Sequence, residues 1–215
     1  MYLSKTQNLE DAITKEFLNE HPKISAGTIS TNDMIPFIRA YNAYGDDALN
    51  INITLKYKHL TEDSMQSYYA ADILFVKKTN RRYFMYITNN KDESKGQVFY
   101  NMPIDAKTGW CGHEDGHLMD YEEKSKRQIL GFTLAYSFNW LLSKIPEIIL
   151  KIGKKRVTIE PGIKYLKRIE QNINMRAIKA GLEHELASGI DYTIDISKIP
   201  KRIKKRYSQI YKAIN

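Results

Sequence analysis

The chain has 215 residues, 42% of them hydrophobic and 27% charged, which suits a folded globular protein with one well-buried domain. That balance excludes an intrinsically disordered chain, and a lone cysteine, Cys111, excludes an internal disulfide. A formal net charge of +8 admits anionic partners such as nucleic acid or a membrane surface. No recognised nucleic-acid motif accompanies the basic runs at 151–156 and 198–212, so nucleic acid is not an expected partner.

In chain order, the first residues show no basic start, apolar core or small-residue cleavage site, so a cytoplasmic location is the default expectation. Residues 7–20 read as a short amphipathic helix, broken by the proline and glycine of "HPKISAGTIST". "DMIPFIRAYNAYG" is a helix or irregular segment ending at Gly45. Strands are expected at 48–60, where Leu49, Ile51, Ile53 and Leu55 share a face, at 81–89, and at 96–102. The charged "NNKDESKG" between the last two reads as a hairpin loop.

From Trp110 onward the pattern turns helical. Residues 128–144 form a strongly apolar stretch, shorter than the ~20 residues a membrane span needs, and read as a buried core helix ended by Pro146. A long helix is then expected from Pro161 to Gly189. Strands first and helices afterwards indicate an α+β domain. Residues 1–215 read as a single domain, with a basic C-terminal segment from about 198.

The stretch "GHEDGHLMDYEE" holds two of the five histidines four residues apart, with a glutamate after the first. On a helix, positions i and i+4 aim two imidazoles at one ion, so His113 and His117 are candidate metal ligands. Chance would produce this HExxH pattern in only about 0.7% of chains of this composition. At 100° per residue, Asp120 shares the histidine stripe while Glu114 lies about a quarter-turn aside, beside a bound water rather than on the metal.

A catalytic zinc takes three protein ligands and leaves a position for water. No histidine follows His117 at the spacing of the longer HExxHxxGxxH pattern. Asp120 aims past the ion, and Glu122 and Glu123 lie off the stripe. Glu170, in the later helix, is the favoured third ligand, and Asn174 one turn on could bond the far nitrogen of a ligating histidine. On the same stripe Ala177 and Gly181 would let the two helices approach closely.

HExxH followed on a later helix by Glu-x-x-x-Asp resembles the gluzincin metallopeptidases. "FYNMPIDAKTGWCGHEDGHLMDY" looks more closely like the GW-x-GHE-x-x-H-x-x-DY core of small, uncharacterised bacterial proteins with zincin-like folds, and the likeness spans roughly residues 50–185. The resemblance implies a small, mostly antiparallel sheet followed by an active-site helix and a second ligand-bearing helix. It further implies Zn2+ on His113, His117 and Glu170, with Glu114 as general base for hydrolysis of a peptide or protein substrate. Asn174 departs from the pattern, which has aspartate there, and Asp120 could supply the missing carboxylate.

Substrate is expected as an added strand along Arg82–Thr88 or Gln97–Asn101, with Tyr121, Tyr165, Arg176 or His184 as candidates for the oxyanion. Cys111 and Trp110 read as packing residues and Gly116 as room for a close backbone. The other reading is an inactive or metal-stabilised zincin-like binding module with a basic surface for an anionic partner.

Overall fold

The computed structural model describes residues 2–45, 51–58, 65–70, 72–88, 100–143, 148–152, 155–159 and 163–193. The expected loop at 89–96, strand residues 96–99, Pro146, Pro161 and the basic segment from about 198 lie outside the described residues. The order is α1 (Tyr2–Glu20), β1 (Ile24–Ser25), α2 (Thr31–Tyr44), β2 (Asn52–Lys58), β3 (Met65–Tyr69) and β4 (Arg82–Thr88). Then follow α3 (Ile104–Glu123), α4 (Lys126–Ser143), the hairpin β5 (Ile148–Ile152) and β6 (Lys155–Ile159), α5 (Ile163–Lys179) and α6 (Glu183–Thr193). The α+β class is as expected.

The four-stranded sheet has the order β1-β2-β4-β3 and is mixed, not mostly antiparallel. β2 pairs in parallel with both β1 and β4, and only β3 runs antiparallel, from Met65 opposite Ile87 to Tyr69 opposite Tyr83. Alternation along a sequence reveals that a strand exists but not which way its neighbour runs. β3, "MQSYY", carries too little apolar alternation to be read as a strand at all. Ile53, Leu55, Tyr83, Met85 and Ile87 are all fully buried, in one core with Met34, Phe37 and Ile38 of α2 and Leu118 of α3.

Three further expectations are corrected. Tyr100 and Asn101 are helical, so the third strand does not extend to them. α3 begins at Ile104, straight after Pro103 (φ −58°), several residues before the helical pattern is recognisable. Its first turns are buried through small and polar residues, Ala106, Thr108 and Gly109, which carry no apolar stripe.

The expected long helix is two, because Gly181 turns the chain at φ +83° and its N–H caps the carbonyl of Ile178. Gly189 lies inside α6, pressed against Trp110.

The largest departure is α4. Of its large apolar side chains only Ile129 is buried, while Leu130, Leu134, Phe138, Trp140 and Leu141 are exposed. It is not a core helix. Among the described residues, no helix is long and apolar enough to cross a membrane.

Candidate metal centre

α3 and α5 build the site between them. His113 and His117 stand one turn apart on α3, and Glu170 and Asn174 stand one turn apart on α5. The helices can meet because the contact face of α3 is glycine. A Cβ on Gly116 would lie 3.0 Å from Cγ2 of Ile173 on α5, and one on Gly109 would lie 2.2 Å from the Glu185 carbonyl oxygen of α6. Ala177, also buried, keeps the facing surface of α5 shallow. Gly116 therefore has the spacer role expected of it, whereas Gly181 ends the helix instead of lining the contact.

The three expected ligands converge. Oε2 of Glu170 lies 3.2 Å from Nε2 of His113 and 3.8 Å from Nε2 of His117. One ligand atom from each of the three residues falls within 4.8 Å of the others, and they are the one such cluster found among the described residues. Bonds of about 2.0–2.2 Å in a tetrahedral site set ligand atoms roughly 3.3 Å apart. Two imidazole nitrogens and a carboxylate oxygen are a donor set that could hold a metal ion, with His117 drawn in from its 3.8 Å separation. The imidazole rings stand edge to face, with centroids 4.9 Å apart.

On the far side, Nδ1 of His113 meets Oδ1 of the buried Asn174 at 2.8 Å. An amide oxygen accepts only, so Nδ1 carries the proton, and Nε2 is the nitrogen turned to Glu170, available to a cation once its own proton is released. Without a cation the charges already lean the same way. Burial alone would raise the Glu170 carboxyl, but hydrogen bonds from His113 and His117 hold it far below the usual range. Burial opposes charge on His113, yet Glu170, Glu114 and Asn174 together raise its pKa.

Glu114 is buried beside the ligands. Asp120 is not turned toward a histidine; its carboxylate is salt-bridged to Lys124 on the next turn. Of the residues considered for an oxyanion, Tyr121 is stacked on His117, with ring centroids 6.4 Å apart. Arg176 is held in a two-pronged pair with Glu123 at 2.5 and 2.7 Å, and His184 is exposed on α6. Tyr165 is half-buried on α5.

No protein-family model, curated protein or solved structure matches this chain.

Cys111 is buried, with its sulfur 4.0 Å from that of Met65, and burial pushes its thiol well above the ordinary value. It is packing, as expected, though in the middle of α3 and not at its start. Sequence reasoning passed over Tyr69, whose ring stands 5.0 Å from Tyr121 and whose hydroxyl meets Thr133 Oγ1 at 2.5 Å. It also passed over Asp115, buried with neither carboxylate oxygen bonded to a described residue, and burial raises its pKa well above the usual range. Tyr69 lies outside the HExxH motif and Asp115 at one of its variable positions, so only their tertiary placement reveals them.

Proposed function

We propose that the protein is a zinc-dependent peptide hydrolase of zincin-like type. The observation that carries this reading is the convergence of His113 and His117 with Glu170 from a helix 53 residues further on. A zinc ion held there would supply a polarised carbonyl and a water whose pKa falls toward 7. Glu114, on the helix that bears both histidines, accepts a proton from the attacking water and returns it to the leaving amine. Asn174 holds His113 with Nε2 facing Glu170.

A peptide has a sheet edge beside this helix. β4 is paired on both sides, so Arg82–Thr88 cannot be that edge; β3 is the outer strand. The Ala70 N–H donates to the Arg82 carbonyl at 2.8 Å, which makes these two a hydrogen-bonded pair. Two-residue alternation then turns the backbone groups of Met65, Ser67 and Tyr69 away from β4. An extended substrate bonds to those groups as an added strand. Met65 and Tyr69 also touch Cys111 and Tyr121 of α3, which keeps the edge next to the active-site helix.

Cleavage of a diverse peptide library by the zinc-loaded protein tests the proposal, with Glu114→Gln as the comparison. The glutamine variant should keep its zinc and fold and lose at least ~10²–10⁴-fold of the hydrolysis. Equal cleavage by both would remove Glu114 from the base role. Absence of cleavage by either, with zinc bound, would leave the metal-stabilised binding module as the reading.

A further inference from the structure

α4 presents a surface that the metal centre does not use. Taking 100° per residue, its buried and half-buried contacts run from Leu142 and Ala135 through Asn139, Phe132 and Ile129 to Thr133, an arc of about 180°. The opposite arc, running from Lys126 through Leu130, Leu141 and Leu134 to Phe138, spans about 120°. Large apolar side chains are exposed in it, Leu134 at 63%, Phe138 at 60% and Leu141 at 61%, with Trp140 at its margin at 49%.

With Leu130 and Tyr136 included, six large apolar side chains each expose on the order of 100 Å². The resulting patch of roughly 600 Å² is at the upper end of what a monomer leaves in water. The helix has no acidic residue. Its two charges, Lys126 and Arg127, are exposed at its first turn and project within the same arc.

We propose that α4 docks on an anionic lipid bilayer, lying in the plane of the interface with this arc submerged and Lys126 and Arg127 at the phosphates. A helix of 18 residues is about 27 Å long, a length that suits lying in the surface. Charge chooses between a bilayer and a second copy of the chain. At +8 two copies repel, whereas an anionic surface attracts each one. Docked in this way, α4 brings the metal centre to the membrane, since Phe132 packs at 5.7 Å on Tyr121, which stacks on His117.

Co-sedimentation of the full chain with phosphatidylcholine vesicles, with and without phosphatidylglycerol, tests this independently of any hydrolysis. Binding should require the anionic lipid and should blue-shift emission from Trp140, one of only two tryptophans. Leu134→Glu with Phe138→Glu should abolish both signals. These positions are exposed, so the fold should tolerate the change. Lys126→Gln with Arg127→Gln should weaken partitioning roughly 25-fold, at about 1 kcal/mol for each charge. Failure to bind anionic vesicles would overturn the proposal, as would binding unaffected by the double glutamate variant. A concentration-dependent dimer dissolved by that variant, without vesicle binding, would assign the surface to a second copy instead.

Discussion

Asn174 is the residue at which this centre differs from the pattern it resembles. Its amide oxygen orients His113 at 2.8 Å but brings no charge to the imidazole. Asn174→Ala should therefore lower zinc affinity about 10–100-fold, as loss of a ligand-orienting partner does. Asn174→Asp should raise it, because a carboxylate in the same position makes the imidazole more basic. Competition titration with a chromogenic chelator measures both, and an aspartate variant that bound no more tightly would show that charge behind His113 is immaterial. Asp120 cannot stand in for that carboxylate while it is paired to Lys124. Its place on the histidine stripe was readable from spacing, but its partner was not, because Lys124 reaches back to it from just past the end of α3.

At the scale of elements, the positions of α5 and α6 against α3 depend on two glycines that differ in what blocks them. A methyl group at Gly109 would meet the backbone of Glu185 at 2.2 Å, and a helix backbone cannot step aside. Gly109→Ala should destabilise by ~1–3 kcal/mol despite the ~1 kcal/mol gained in helix propensity. At Gly116 the obstacle is a side-chain methyl of Ile173 at 3.0 Å, which can shift by a few tenths of an ångström. Strain and propensity then nearly cancel, so Gly116→Ala should leave the melting temperature almost unchanged while loosening the metal site. Thermal denaturation of the two variants side by side checks the contrast, and equal losses would refute it. The same scale explains why α3 was legible only in its second half. Its opening turns are buried by close approach of small residues, so the hydrophobic period that marks most helices is missing.

For the whole molecule, a metal on this site joins helices that are distant in sequence, so occupancy should report on global stability. Zinc at one hundred times its Kd should add about 2.7 kcal/mol to unfolding, provided the unfolded chain does not bind it. Scanning calorimetry with zinc and then with chelator should show the melting temperature rise and return, and His113→Ala should show neither change. A zinc-induced shift retained by His113→Ala would place the stabilising ion elsewhere.

The sequence by itself determined the α+β class, the strands around Ile53 and Met85, and a helix carrying His113, Glu114 and His117 on neighbouring faces. These follow from periods of two and 3.6 residues, which are properties of a short stretch of chain. Glu170 could be favoured only by elimination and by the small-residue stripe it shares with Asn174 and Ala177, because nothing local says which surface a later helix turns inward. Tertiary structure alone decided that Glu170 and Asn174 meet the histidines, that β3 and not β4 forms the sheet edge, and that the apolar α4 lies on the outside. Burial, strand order and ligand convergence depend on what packs against an element, and a residue pattern records only that element's own faces.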